Sequence, residues 1–179
     1  MKKFAACIIV VLVSACGFAG PGKSVQQDST TTKYVFLFIG DGMGVSQMRA
    51  ADAFVQQSHP GASGIAIDQQ GLVMNDLSVF GLQATSSARQ FITDSAAAGT
   101  ALATGSKTAN GVIGMNEDKS KKLVSIAKAA KAAGMRVGIV TDVTLDHATP
   151  ACFYANSPSR HEYERIAMQL PASDFDYFG

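Results

Sequence analysis

The sequence feature that most constrains the fold is an apolar segment at residues 34–39 (YVFLFI), which ends in a glycine-rich turn at residues 40–44 (GDGMG). Six consecutive apolar residues, mostly aromatic or β-branched, predict a strand that is covered on both faces. A second segment of this type, residues 135–141 (MRVGIVT), is followed at once by Asp142. Strands separated by helical segments predict an α/β fold, a parallel-sheet sandwich between helices.

Three segments have helical patterns. Residues 45–57 and 120–134 carry apolar side chains at helical spacing, and residues 95–104 are rich in alanine and free of proline. Ser95 is therefore expected at or near a helix start, where unpaired N–H groups and the positive end of the helix dipole favour an anion such as phosphate. The alternative interpretation is a capped, alanine-rich packing helix with no ligand.

The N-terminal segment predicts export. Residues 1–15 have a positive start and an apolar run that is too short to span a bilayer, so they are expected to be a signal peptide. The small residues before Cys16 resemble a bacterial lipobox, in which this cysteine is acylated; the alternative is ordinary cleavage that leaves it unmodified. Residues 16–32 are expected to be a lipidated, flexible tether, and residues 33–179 the domain. The protein is then a membrane-anchored lipoprotein that faces the periplasm or the cell exterior.

Composition and motifs narrow the set of possible ligands further. The 179 residues include 47% hydrophobic residues, enough for one domain with a sizeable core, and the formal net charge is +1. Because there is no run of basic residues, nucleic acid is not expected as a specific partner. The turn at residues 40–44 is neither G-x-G-x-x-G nor a Walker sequence, so dinucleotide or ATP binding is poorly supported. Cys152 lies in an apolar segment and is expected to be a buried, inert thiol.

Four polar residues follow the predicted strands. Asp41 comes directly after the first strand, where a carboxylate can bind a hard cation or can simply cap the next helix. His147 and Thr149 follow the second strand and offer a nitrogen and an oxygen, and Arg160 follows a polar turn. Taken singly, a histidine such as His147 is more often a surface or satisfied residue than a ligand, and an arginine such as Arg160 is usually a solvated cation.

Taken together, the motifs resemble the alkaline phosphatase family. The matching text is FIGDGMG at residues 38–44, TDSAAAGTA at residues 93–101, TGSKTANGVIG at residues 104–114 and HATPA at residues 147–151, with Arg160 at the expected spacing. Several dense motifs in the same order are much more specific than any one of them. The resemblance covers the whole predicted domain.

The resemblance implies a role for each matched residue. Ser95 is the expected nucleophile, which forms a covalent phosphoserine and contacts a metal, and Arg160 is expected to hold two phosphate oxygens. Asp94 is expected to orient this arginine. The implied metals are Zn²⁺ and Mg²⁺: Asp41 bridges them, Thr149 binds magnesium, and His147 lies near the magnesium at a position that is Asp in some members.

The resemblance also implies differences from a whole enzyme. Family members carry further Asp, Glu and His ligands in segments that this sequence does not contain, so the chain is expected to be the N-terminal part of the fold and weakly active or inactive alone. The implied substrate is a phosphate monoester, and the full-length protein is a possible homodimer. Alternatives are a related sulfatase, phosphodiesterase or mutase, or a non-catalytic, lipid-anchored phosphate-binding remnant.

Overall fold

The computed structural model describes residues 9–12, 32–58 and 71–179. They fall into two compact units, one formed by Gln83–Gly179 and the other by the described residues up to Leu82. Most of the predicted signal peptide, the predicted lipidation site at Cys16 and nearly all of the predicted tether lie outside the described residues. Within the described ranges, no helix has both the length and the apolar character that a bilayer crossing requires.

The smaller unit contains two strands and one long helix. Strands β1 (Ile9–Leu12) and β2 (Leu37–Gly40) pair in antiparallel register, with Ile9 opposite Gly40. Helix α1 (Val45–Gln57) has the predicted bounds, and its first turn is fixed by the Gln47 side chain, which accepts a hydrogen bond from the Gly44 N–H at 3.1 Å. A short 3₁₀ helix follows at Val73–Asp76. It is tied to α1 through buried Asp52, whose Oδ1 accepts from the Leu72 N–H at 2.9 Å.

The first predicted strand differs from expectation in its pairing and in its burial. It was predicted to belong to a parallel sheet with the second predicted strand, but among the described residues β2 pairs antiparallel with β1, and the parallel pair is a separate sheet. Strand β2 covers only the second half of the predicted segment, and Phe36 and Phe38 are 68% and 72% exposed. The apolar run therefore does not have both faces covered. An apolar composition shows that the segment is suited to a buried position, but it does not show which surface covers it. The described residues of this unit do not cover Phe38.

The larger unit places helices around a short parallel sheet. Its elements are α2 (Ser95–Thr104), α3 (Ile126–Ala132), β3 (Gly138–Ile139), α4 (Ala148–Tyr154), α5 (Tyr163–Ala167), a 3₁₀ helix at Pro171–Ser173 and β4 (Tyr177–Phe178). Helix α2 packs against α4, and the core contains small residues together with Ile113, Tyr154 and Ile166. Strands β3 and β4 are parallel, with Gly138 opposite Tyr177. This is the predicted α/β class with a parallel strand pair.

Helix α2 begins and ends where the sequence predicts. Asp94 is the N-terminal cap, and its Oδ1 accepts a hydrogen bond from the Ala97 N–H at 2.9 Å. Gly105 ends the helix in the left-handed conformation (φ 72°), which glycine adopts without steric cost. Ser95 is thus the first residue of the helix, as expected.

Three parts of the larger unit differ from the sequence prediction. The strand predicted for residues 135–141 is limited to Gly138–Ile139, and Val140 beside it is 76% exposed, so it is not a long strand covered on both faces. The helix predicted for residues 120–134 begins only at Ile126, because the preceding residues pair with an earlier loop: the Leu123 N–H donates to the Gly114 carbonyl at 2.8 Å. Ile126 is also 61% exposed rather than part of a buried stripe. Strand β4 was not predicted, since two paired residues leave almost no periodic signal.

Candidate active site

The centre of the candidate site is an ion pair between Asp94 and Arg160. Arg160 Nη1 lies 3.1 Å from Asp94 Oδ2, and both side chains are about one-fifth exposed, at 21% and 23%. The same carboxylate caps helix α2 through its other oxygen. The pair therefore fixes the guanidinium beside the first turn of that helix, in a partly buried place where a charge-assisted hydrogen bond is screened less than at an open surface.

Ser95 directly follows this carboxylate in the chain. It is partly buried and is the first residue of α2, where backbone N–H groups lack helical partners and the helix dipole is positive. Both features stabilise an anion near the hydroxyl. The sequence prediction for the position of Ser95 is therefore matched, and its immediate neighbour holds Arg160.

His147 contacts the other side of the same guanidinium. Its Nε2 lies 3.3 Å from Arg160 Nη2, and since a guanidinium only donates, this hydrogen bond requires Nε2 to be the acceptor and places the ring proton on Nδ1. Nδ1 is buried and has no hydrogen-bond partner among the described residues. His147 occupies the N-cap position of α4 without a side-chain capping hydrogen bond, and through His147 this helix start lies against Arg160.

Thr149 lies in the first turn of α4, close to helix α2. It is partly buried, and a Cβ placed on Gly99 would be 3.6 Å from the Thr149 Cα atom. The structure thus places Thr149 in the same unit as Ser95, Asp94, His147 and Arg160, and joins the last three by direct contacts.

Asp41 belongs to the smaller unit. It is exposed and lies in the turn that follows β2, as the sequence predicts for a residue at the carboxyl end of a strand. Gly42 has a φ of 72°, so the turn at this point needs a residue that tolerates the left-handed region.

An Asn-Gly turn supports the ion pair and was not among the predicted site residues. The Gly111 N–H donates to Asp94 Oδ2 at 3.0 Å, and the Gly111 carbonyl accepts from the Arg160 N–H at 2.7 Å. Asn110 Oδ1 accepts from the Asp94 N–H at 3.3 Å. In the sequence the dipeptide appears only within the matching text at residues 104–114 and has no assigned role, because its contacts join residues far apart in the chain.

The loop before Arg160 is fixed by further hydrogen bonds. Ser157 and Ile113 exchange backbone hydrogen bonds of 2.9 and 2.8 Å, and the Ser157 hydroxyl donates to Glu162 at 2.7 Å. Ser157 and Ile113 are fully buried. Arg160 therefore extends from a loop that is held at several points.

Cys152 lies under helix α2 and is not available for chemistry. Its Sγ donates to the Ala96 carbonyl at 3.3 Å and lies 3.4 Å from Thr100 Oγ1. Burial raises the pKa of the Cys152 thiol to about 12. The thiol is therefore protonated and inert at neutral pH, as predicted.

The metal ligands expected from the sequence do not form a complete set. No cluster of three or more His, Cys, Asp or Glu side chains that could hold a metal ion occurs in residues 32–58 or 71–179. A catalytic zinc site ordinarily needs three protein ligands. The described residues alone therefore do not fit a zinc site.

Comparison with known proteins gives one consistent family. The family model for alkaline phosphatase matches residues 32–177. Alkaline phosphatase 4 of Bacillus subtilis (strain 168) is 37% identical over 144 residues, which cover 79% of this chain and 30% of that protein. The chain thus spans about a third or less of the length of the relatives it matches.

Solved structures agree with the sequence comparison. The cold-active alkaline phosphatase of Shewanella sp. matches with a TM-score of 0.68 and 38% identity, over 77% of this chain and 33% of that one. A histidine-to-aspartate variant of alkaline phosphatase from the Antarctic bacterium TAB5 matches with a TM-score of 0.54 and 40% identity, over 55% and 28%. That variant is described with magnesium bound in a site called M3.

Proposed function

Because the chain belongs to the alkaline phosphatase family, we propose that it carries the phosphoryl-binding part of a phosphate monoester hydrolase, with Ser95 as the nucleophile. The family supports phosphomonoesterase activity in general. The residue roles proposed below rest on the geometry of the larger unit together with the resemblance in the motifs.

The observation that carries the proposal is the contact between Asp94 and Arg160, 3.1 Å long, at the start of the helix that Ser95 begins. A guanidinium has five N–H donors in a planar fork. Asp94 and His147 each engage one side of this fork, which leaves the remaining donors for two oxygens of a phosphoryl group. A surface arginine without such partners would have no fixed direction.

The proposed reaction uses Ser95 to accept the phosphoryl group. The Ser95 hydroxyl releases its proton to solvent, and its oxygen forms a bond to phosphorus while the bond to the leaving-group oxygen breaks; that oxygen takes up a proton from water. Water then attacks the phosphorus of the phosphoserine, the bond between the Ser95 oxygen and phosphorus breaks, inorganic phosphate leaves, and the Ser95 oxygen regains a proton. The positive end of α2 and the Arg160 guanidinium stabilise the charge on the equatorial phosphate oxygens during both steps. Asp94 acts through Arg160, which it orients.

Metal binding is part of the proposal for the complete site. Asp41, Thr149 and the Ser95 oxygen are the proposed ligands, and the magnesium-bound TAB5 variant supports such a site in the family. His147 is the further proposed ligand; because Nε2 accepts from Arg160 and Nδ1 carries the ring proton here, it would bind a metal only after one ring nitrogen is freed. When bound, zinc makes a coordinated hydroxyl easier to deprotonate, which suits a serine nucleophile. Since the described residues alone do not assemble a zinc site, no step is assigned to a metal held by them, and we expect the 179-residue chain alone to be weakly active or inactive.

The cellular setting is also a proposal. The signal-like residues 1–15 and the lipobox-like position of Cys16 support export and membrane anchoring on the periplasmic or outer side. Treating cells with labelled palmitate and isolating the protein tests this directly. Label that disappears in Cys16→Ser supports the anchor, and an unlabelled native protein contradicts it. A homodimer is proposed only for the full-length protein.

Trapping of phosphate on Ser95 tests the proposed chemistry. The purified 179-residue chain is incubated with Zn²⁺, Mg²⁺ and radiolabelled inorganic phosphate, quenched in acid and digested, and the labelled peptide is mapped by mass spectrometry. We expect label on the peptide that contains Ser95 and none in Ser95→Ala. Ser106→Ala is the matched control, because Ser106 is exposed and lies just beyond the end of α2. Label that survives Ser95→Ala, or a folded and metal-loaded native chain without label, contradicts the proposed role of Ser95.

A further inference from the structure

We propose that the turn at Asn110 and Gly111 is a positioning element that sets the direction of the Arg160 guanidinium and thereby the affinity for a phosphoryl group. The inference rests on the proposed function, because it concerns the same phosphate-binding arginine. It assigns the turn a role in that site, beyond its role in chain reversal.

The first step of the argument is that one glycine contacts both partners of the ion pair. The Gly111 N–H donates to Asp94 Oδ2 at 3.0 Å, the oxygen that also accepts from Arg160 Nη1 at 3.1 Å. The carbonyl of the same residue accepts from the Arg160 backbone N–H at 2.7 Å. Gly111 therefore fixes the carboxylate end of the pair and the backbone from which the arginine extends.

The second step is that Asn110 holds the backbone that leads into Ser95. Asn110 Oδ1 accepts from the Asp94 N–H at 3.3 Å, and Asn110 Nδ2 donates to the Ile92 carbonyl at 3.0 Å. Nδ2 also contacts Gln90 Oε1. The Asn110 side chain thus bonds to Ile92 and Asp94, just before helix α2, and links them to the turn that holds Arg160.

The third step is conformational. Gly111 has a φ of 82°, and a Cβ atom built on it has no neighbour within 4 Å. The position therefore excludes most side chains by backbone conformation and not by lack of space. Asn tolerates the left-handed region and a β-branched residue does not, so the two can be compared at the same place.

Guanidinium NMR of the 179-residue chain gives a direct test. The side-chain N–H signals of Arg160 are assigned by their loss in Arg160→Lys, and their exchange with water is measured without ligand and during titration with inorganic phosphate. In Asn110→Ala we expect faster exchange at Arg160 and about tenfold weaker phosphate binding, as the loss of an ordered charge-assisted contact implies. The matched control is Asn116→Ala, another turn asparagine of the same unit whose amide bonds Asp118, Ser120 and Lys121 of its own loop; it should change neither quantity.

The outcomes separate this inference from the proposed function. If the native chain binds phosphate and Asn110→Ala changes neither Arg160 exchange nor affinity, the positioning role is overturned while phosphate binding stands. If the native chain binds no phosphate, the proposed function fails, and Arg160 exchange alone decides whether the turn orients the pair. If Asn110→Ala does not fold, Gly111→Asn and Gly111→Val replace it. Faster exchange only in Gly111→Val supports the inference, and equal exchange in the two overturns it.

Discussion

The Asp94 carboxylate both caps helix α2 and pairs with Arg160: Oδ1 accepts from the Ala97 N–H at 2.9 Å, and Oδ2 lies 3.1 Å from Arg160 Nη1. One side chain therefore couples the stability of the helix to the direction of the arginine. Because Ser95, the proposed nucleophile, directly follows this cap, the same side chain places Arg160 next to the nucleophile. Changes at Asp94 should thus affect both folding and phosphate binding.

Replacing Asp94 by Ala or Asn should separate these two effects. Asp94→Ala removes the cap, at a cost of about 1–2 kcal/mol in the free energy of unfolding, and leaves Arg160 without its carboxylate. Asp94→Asn keeps an oxygen that can cap the helix and should cost less than about half as much, while phosphate binding weakens in both variants. Urea unfolding followed by circular dichroism measures the first quantity, and phosphate titration the second.

Ser125→Ala is the control for the capping effect. Ser125 Oγ accepts from the Lys128 N–H at 3.1 Å at the start of α3 and also donates to the Phe153 carbonyl, with no ion pair at that position. Ser125→Ala removes the cap and leaves this partly buried carbonyl unpaired, so it should cost about 1–3 kcal/mol in unfolding free energy and leave phosphate binding unchanged. Equal losses of phosphate binding in Ser125→Ala and Asp94→Asn would contradict a specific role for the Asp94–Arg160 contact.

Two buried threonines should respond in opposite ways to the same substitution. Thr100 and Thr108 are both fully buried. Thr100 Oγ1 accepts from the Gly114 N–H at 2.9 Å and lies 3.1 Å from the Val112 carbonyl, whereas Thr108 Oγ1 has no hydrogen-bond partner among the described residues. Thr100→Val should lower the unfolding free energy by about 1–3 kcal/mol, because it leaves buried backbone groups unpaired. Thr108→Val should be neutral or stabilising by up to about 1 kcal/mol, because it removes an unpaired hydroxyl.

Chemical denaturation of the native chain and the two variants measures both effects under the same conditions. Since the substitutions are identical in volume and chemistry, each variant is the control for the other. A loss of stability in Thr108→Val equal to that in Thr100→Val would show that the Thr108 hydroxyl has a partner in solution.

Local signals in the sequence were sufficient for the bounds of helix α2. Helix α2 runs from Ser95 to Thr104 as predicted, because alanine propensity, an aspartate cap and Gly105 all favour the same bounds. Helix α3 was predicted too long, since its apolar spacing continues into residues that instead pair with the loop around Gly114. Tertiary pairing overrode periodicity there.

The candidate site was predictable only in part for a similar reason. Motif text identified Ser95, Asp94 and Arg160, and the structure joins the last two although they lie 66 residues apart. The contacts of Asn110 and Gly111 depend on how three separate loops meet, which no local pattern encodes. The exposure of Phe38 was likewise unpredictable, because composition shows that a residue is apolar but not which surface covers it.

Close packing between α2 and α4 gives a test of the helix interface that supports the site. A Cβ on Gly99 would lie 3.0 Å from Cys152 Sγ and 3.3 Å from its Cβ. Gly99→Ala should therefore destabilise the protein by about 1–3 kcal/mol through overpacking, despite the better helix propensity of alanine. The added Cys152→Ala substitution makes room, so the double variant should be more stable than the sum of the two single effects predicts. Additive effects in urea denaturation would show that the two side chains do not meet.

The buried thiol of Cys152 and the buried phenol of Tyr154 predict a loss of stability in alkaline solution. Burial raises the pKa of Cys152 from 9.0 to about 12 and the pKa of Tyr154 from 10.0 to about 12. The unfolded chain therefore releases these protons at lower pH than the folded one, so the folded state binds more protons above about pH 9 and its stability falls as pH rises. The contribution of each group is fully present below its unfolded pKa and is lost as pH approaches about 12.

Unfolding free energies measured in urea from about pH 8 to about pH 11 should show this decline. Cys152→Ala should make the slope shallower from about pH 9, and Tyr154→Phe only from about pH 10, because each variant removes one of the two groups that titrate differently in the folded and unfolded states. Alkylation gives an independent measure at neutral pH: iodoacetamide should modify Cys152 in denaturant and leave it unmodified in the native chain, as peptide mapping can distinguish. Native modification of Cys152, together with an unchanged slope in Cys152→Ala, would show that the thiol is accessible and that helix α4 does not pack on α2 in solution as it does here.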